Sequence, residues 1–124
     1  MMAPMGRSVL VVDDDTYFRD IAVRILQSWG HEVVGQAGSV GEALEQTLEL
    51  RPDTAVVDIG LPDGDGFDLT RRLVALPWPL RVLVISSDAD VANELVAQRA
   101  GAIGFFPKAD ISGPGFRRAL AESE

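Results

Sequence analysis

The chain has no cysteine and a single histidine, His31. Disulfides and thiolate metal sites are therefore excluded, and no histidine cluster exists for zinc or copper. Basic residues are outnumbered, with 11 Lys and Arg against 19 Asp and Glu and a formal net charge of -8. Binding to a phosphate backbone needs a basic footprint, so no direct nucleic-acid binding by these residues is expected. No apolar run approaches the roughly 20 residues of a membrane span. The opening Met1-Met2-Ala3-Pro4-Met5-Gly6 also carries no signal-peptide hydrophobic region. These absences point to a cytoplasmic protein with no membrane contact.

Apolar residues, by contrast, make up 47% of the 124, enough for the core of one domain. Residues 1–7 read as a disordered lead and residues 8–124 as the folded domain. Short apolar runs alternate with helical patterns five times. Strands are expected at Ser8–Val12, Glu32–Ala37, Thr54–Asp58, Arg81–Ser86 and Ile103–Phe106. Helix one is expected at Thr16–Trp29, with Phe18, Ile21, Ala22, Ile25, Leu26 and Trp29 at helical spacing and Gly30 as its stop. Ser39-Val40-Gly41-Glu42 reads as a capping box opening helix two, which runs to Leu50. Helix three is expected at Phe67–Ala75, helix four at Asp90–Ala100 and helix five at Phe116–Glu122. The segment Gly60 to Gly66 is turn chemistry, with no regular structure expected. Val91, Leu95 and Val96 are expected to face inward from helix four, and Trp78, between two prolines, to be an exposed loop residue. Five βα units in this length suit a doubly wound α/β fold with a parallel sheet and helices on both faces; an eight-unit barrel needs about twice the length.

In such a sheet, ligands bind beyond the carboxyl ends of the strands. Asp13, Asp14 and Asp15 follow the first apolar run, Asp58 ends the third, Ser86 ends the fourth, and Lys108 follows the fifth. The fold therefore gathers a carboxylate cluster, a hydroxyl and an ammonium on one edge. Clustered carboxylates repel one another, and a hard cation such as Mg2+, bound through oxygen and retained waters, relieves the repulsion. Each residue also has a plainer reading. Asp15 suits the N-cap of helix one; Ser86 could cap helix four, in competition with Ser87, Asp88 and Asp90; a lone lysine in a loop is usually solvated. It is their common edge that favours a metal and a phosphoryl group.

Val11-Val12-Asp13-Asp14, then Val57-Asp58-Ile59-Gly60-Leu61-Pro62-Asp63-Gly64-Asp65-Gly66, then Ile85-Ser86-Ser87, then Gly101 to Lys108, occur in order. From about Ser8 to Ala121 the chain resembles the receiver domain of two-component response regulators. The resemblance implies a flavodoxin-like doubly wound five-stranded parallel sheet of order 2-1-3-4-5 with five helices. It implies Asp58 as phosphoacceptor, with Ser86 and Lys108 completing the catalytic set. Asp13, Asp14, Asp58 and the Gly60 carbonyl would hold Mg2+, with Asp14 the more direct ligand of the acidic pair. Ser86 and Phe105 would be the switch residues; Phe105 alternatively reads as plain core. The implied partner is a sensor histidine kinase or phosphotransfer protein, and the implied output is a changed surface on helix four, strand five and helix five, where a homodimer could also form. The chain would not be an enzyme beyond catalysing its own phosphorylation and slow dephosphorylation.

Two positions depart from the family pattern. Ala109 stands where proline often follows the lysine, so a trans Lys108–Ala109 bond is expected, since cis without proline costs about 2.5–4 kcal/mol. Gly60, two residues after the acceptor, leaves the approach of water open, which predicts a short phosphorylated lifetime. Among rival readings, a haloacid-dehalogenase phosphatase would ask for Thr or Val where Tyr17 stands, and a calcium loop from Asp63 fails at Phe67, Asp68 and Val74. A phosphorylation-independent receiver-like interaction module remains the alternative. The stretch after Lys108 has room for one helix, so no output domain is expected within these residues.

Overall fold

A strand buried on both faces needs apolar side chains at successive positions rather than at alternate ones. Val9-Leu10-Val11-Val12, Ala55-Val56-Val57 and Val82-Leu83-Val84-Ile85 meet that demand. The computed structural model describes residues 6–87 and 90–122. Among them, five parallel strands form one sheet: β1 (Ser8–Val12), β2 (Glu32–Ala37), β3 (Thr54–Asp58), β4 (Arg81–Ser86) and β5 (Gly104–Pro107). Their order is β2-β1-β3-β4-β5. The helices are α1 (Thr16–Ser28), α2 (Val40–Leu50), α3 (Gly66–Val74), α4 (Val91–Ala100) and α5 (Pro114–Ala121). The expected flavodoxin-like fold is therefore the observed one. Of the expected disordered lead, Met1 to Met5 lie outside the described residues, whereas Arg7 is tied into the fold, its amide donating to His31 Nδ1 at 2.9 Å and its carbonyl accepting from the Glu32 amide at 2.8 Å.

The pleat sorts the core into two halves. Leu10, Val12, Ala55, Val57, Val82 and Val84 pack with Ala43, Leu69, Leu73 and Ala97 of α2, α3 and α4. Val9, Val11, Val56, Leu83 and Ile85 face the other way, onto Ala22 and Leu26 of α1 and Phe116 and Leu120 of α5. From β1 the chain first adds β2 on one side, then crosses back to add β3, β4 and β5 on the other. The crevice between the ends of β1 and β3 is thus the topological switch point of the sheet, where α/β folds of this kind bind ligands.

Local chemistry sets the helix ends. Asp15 accepts from the Tyr17 and Phe18 amides, as expected of the N-cap of α1. Ser39 accepts from the Glu42 amide, and Glu42 reaches back to Gly38. Helix α5 begins two residues earlier than expected, because a proline at the first helical position gives up an amide that would have no helical partner. Its last carbonyls, from Ala119 to Glu122, are met by the guanidinium groups of Arg7 and Arg81. Among the described residues no helix is long and apolar enough to cross a membrane.

Three expectations need correction. The turn segment carries a small antiparallel hairpin, pairing Gly60 with Asp65 and Leu61 with Gly64, because Leu61 plugs into the core and pulls the loop flat. On α4, Leu95 is 50% exposed. The inward stripe is Asn93, Val96, Ala97 and Ala100, at the i, i+3, i+4, i+7 spacing of one helix face, so phase outweighs side-chain size. Val91 falls outside the residues whose side chains are described. Trp78 is half-buried, donating to the Pro52 carbonyl at 3.2 Å beneath the Arg51 guanidinium.

His31 is buried, and its Nδ1 accepts from the Arg7 amide at 2.9 Å. Burial first, then the positive charge of Arg7, holds it below its ordinary value of 6.5. The folded state therefore prefers neutral histidine and the unfolded chain binds the extra proton, so this contribution to stability is complete above about pH 6.5 and is lost as pH falls through the lowered value. His31→Asn keeps an acceptor for the Arg7 amide and cannot titrate. Urea denaturation between about pH 7 and pH 5 should show a shallower decline for this variant than for the parent; equal slopes would remove His31 as the titrating group.

Candidate functional site

The parallel arrangement delivers the sequence-predicted polar residues to one edge. Asp13 continues beyond β1, its amide donating to the Ala37 carbonyl of β2 at 2.9 Å. Asp58 closes β3 and Ser86 closes β4; both are buried. Lys108 follows β5 at the start of a short 3-10 turn, and no cis peptide bond occurs there or elsewhere in the described chain.

The lysine holds the cluster together. Its Nζ lies 2.6 Å from Asp13 Oδ2 and 3.4 Å from Asp58 Oδ2. The same ammonium sits 4.6 Å from the centre of the Phe18 ring, on the inner side of α1. Asp13 is fully buried; its Oδ1 accepts from the Asp15 amide at 2.9 Å, and its backbone carbonyl accepts from Arg19 at 2.6 Å. Asp14 is exposed at the mouth. One oxygen each from Asp13, Asp14 and Asp58 lies within 4.8 Å of the others, an oxygen-only set at a spacing that a single hard cation can span.

Electrostatics in the cluster are opposed. Burial first, and then the negative charge of Asp13, raise the Asp58 carboxyl above its ordinary value; Lys108 and the Gly60 amide pull it down without cancelling the rise. Burial alone would lower Lys108, but the hydrogen bond to Asp13 and the charges of Asp58 and Asp13 outweigh it, so the ammonium is held above its usual value. The cluster thus carries a fixed cation and a carboxylate short of counter-charge.

A cleft of about 450 Å³ opens above these groups, lined by Asp14, Asp58, Gly60, Ser86 and Lys108 together with Asp15, Ile59 and Ser87. All the site residues expected from the sequence are here except two. Asp13 lies beneath the floor, and Phe105 packs at the edge of the α2–α3–α4 core and borders a separate groove with Phe106, Pro107 and Phe116. The sequence reading missed Phe18 and Arg19. Arg19 had a faint signal, a lone cation one turn into a helix that opens on three aspartates. Phe18 had none, since an apolar residue at helical spacing reads as core.

Residues 9–112 match the family model described as the response regulator receiver domain. The chain is 40% identical over 115 residues to the DNA-binding transcriptional activator DevR/DosR of Mycobacterium tuberculosis, covering 92% of this chain and 52% of that protein. It thus spans about half the length of that relative. The signal receiver domain of the response regulator NarL from the same organism superposes with a TM-score of 0.83 at 32% identity, covering 96% of this chain and 100% of that one. A response regulator from Burkholderia pseudomallei, solved with a phosphorylated aspartic acid, calcium ion and citrate, gives a TM-score of 0.81 at 26% identity, covering 95% and 68%.

Proposed function

Because the chain belongs to the response regulator receiver domain family, we propose that it accepts a phosphoryl group on Asp58 from the phosphohistidine of a sensor kinase or phosphotransfer protein. The observation that carries this reading is the Lys108 ammonium shared between Asp13 and Asp58 at the switch point of the sheet. An ionised Asp58 oxygen attacks phosphorus, the bond from phosphorus to the histidine nitrogen breaks, and an acyl phosphate forms. Ser86, closing the neighbouring strand, donates its hydroxyl to the incoming phosphoryl oxygens, and Lys108 supplies positive charge to the same oxygens. The phosphorylated aspartic acid of the Burkholderia protein supports the chemistry on a like fold.

The donor set fits Mg2+. Both Asp13 oxygens are already engaged, by Lys108 and the Asp15 amide, so Asp14, Asp58 and the Gly60 carbonyl are the more direct ligands. When bound, the ion offsets the charge of the carboxylates and of the transferring group. Phosphorylation brings about -1.5 to -2 charges to a site that opposes them. Ser86 moves towards the phosphoryl group, Phe105 shifts inward, and the surface of α4, β5 and α5 changes. Full reversal of a 1:99 equilibrium takes about 5.5 kcal/mol of differential interaction.

The acidic balance of these residues disfavours their direct binding to a phosphate backbone, and DNA binding is the named activity of the longer relative. Intact mass after incubation with acetyl phosphate, with and without Mg2+, tests the reading. One phosphoryl group gained only with Mg2+ supports it; no gain under either condition leaves the phosphorylation-independent interaction module as the better account.

A side chain at position 60 would meet no atom within 4 Å at its Cβ. Water therefore reaches the acyl phosphate unhindered from that side, and a short phosphorylated lifetime follows. Gly60→Met should lengthen the lifetime several-fold, on the order of 1 kcal/mol in the hydrolysis barrier, as followed by loss of the phosphorylated mass over time. An unchanged lifetime would show that access at position 60 does not limit hydrolysis.

A further inference from the structure

Asp63 lies outside the cleft, exposed at the turn of the Gly60–Asp65 hairpin, yet both its oxygens are engaged. Oδ1 accepts from the Val40 amide at 2.7 Å and Oδ2 from the Gly41 amide at 3.1 Å. These are the first two amides of α2, and Ser39 takes the third, so the first turn is capped partly by a residue more than twenty positions away. The two amides hold the Asp63 carboxyl below its ordinary value.

The neighbouring residues are shaped for this approach. A Cβ at Gly64 would come within 3.2 Å of Val40 Cγ2, and one at Gly41 within 3.6 Å of Asp63 Oδ2. The base of the hairpin is fixed separately, by Gly66 donating to the Ile59 carbonyl at 3.0 Å and by Asp65 capping α3. Gly60 has no side chain, and the space its Cβ would fill is open, so no side-chain packing at this position holds it. Its position depends on how the hairpin is held: by the bonds at its base, by Leu61 buried in the core, and at its tip by Asp63.

We propose that Asp63 is a positioning residue for the Mg2+ site, fastening the hairpin to the first turn of α2 so that the Gly60 carbonyl is held facing the cleft. The proposal rests on the receiver reading above. It also means that α2, which supplies no ligand, contributes to metal affinity through the two amides it lends.

The test compares wild type, Asp63→Ala, Asp63→Asn and Ser39→Ala. Mg2+ affinity is read by calorimetry, amide exchange at Val40, Gly41 and the hairpin by NMR, and phosphorylation by intact mass. Asp63→Ala should weaken Mg2+ about tenfold and speed exchange at Val40 and Gly41, with the phosphorylation rate restored at saturating Mg2+. Asp63→Asn, which keeps an oxygen for one amide, should fall between. Ser39→Ala removes the local cap of α2 and should leave Mg2+ affinity near wild type. Unchanged affinity in Asp63→Ala, or an equal loss in Ser39→Ala, would overturn the proposal. Wild type that binds no Mg2+ would overturn the receiver reading itself, and this inference with it.

Discussion

Asp58→Asn should fold, resist denaturant better than the parent at neutral pH, and accept no phosphoryl group. The loss is complete because the amide nitrogen and oxygen offer no carboxylate nucleophile. The gain in stability comes from the same burial that frames the site. The folded state raises the Asp58 carboxyl, chiefly through burial and then through Asp13, so folding favours the protonated form. Stability from that form is complete below the ordinary value of 3.8 and is lost as pH rises through the raised value. At neutral pH the folded protein therefore holds a charge at a cost, which asparagine removes at nearly equal volume. The advantage of the variant should shrink as pH is lowered and vanish near pH 4. Urea denaturation across that range, with intact mass after acetyl phosphate, measures both effects. A variant less stable than the parent at neutral pH would show that the pairing with Lys108 outweighs the burial.

Gly66→Ala should be the most damaging single methyl added to the site. A Cβ there would lie 2.3 Å from the Asp58 carbonyl oxygen, 2.7 Å from the Ile59 Cα and 2.9 Å from the Asp58 carbonyl carbon. All three are backbone atoms of the segment that carries the acceptor, so no flexible side chain can move aside. Alanine at the start of α3 would by propensity stabilise the helix by at most about 1 kcal/mol. The clash opposes this with about 3 kcal/mol or more of overpacking. Its relief must separate α3 from β3 and displace Asp58, so Mg2+ affinity and phosphorylation rate should fall together with stability. Gly60→Ala, which adds a methyl into open space, serves as the control and should change stability by less than about 0.5 kcal/mol. Equal stabilities of the two variants would refute the close approach at Gly66.

The site was legible in unequal measure. Asp13, Asp58, Ser86 and Lys108 announce themselves because each interrupts or ends an apolar run, and parallel strands put all such ends on one edge. Phe105 was placed on strand five as a switch residue or plain core; that it packs at the core edge and does not line the cleft came from the structure. Asp63 and Gly66 were visible only as turn residues, since turn composition says nothing of what a loop rests against. Leu95 was misjudged because a large apolar side chain drew more weight than the phase of the helix, which two alanines define.

The sequence alone determined the five strands of the parallel sheet, the double burial of the central three and the edge on which the acidic residues meet. Those follow from the period of apolar residues and from the handedness of βα crossovers, both properties of a chain read locally. The tertiary structure decided the pairing of Lys108 with Asp13 ahead of Asp58, the placement of its ammonium over Phe18, and the fastening of the hairpin to α2 by Asp63. These contacts join residues far apart in the chain, and their distances depend on how closely α1, α2 and α3 settle on the sheet. That closeness is set by packing, which no local pattern records.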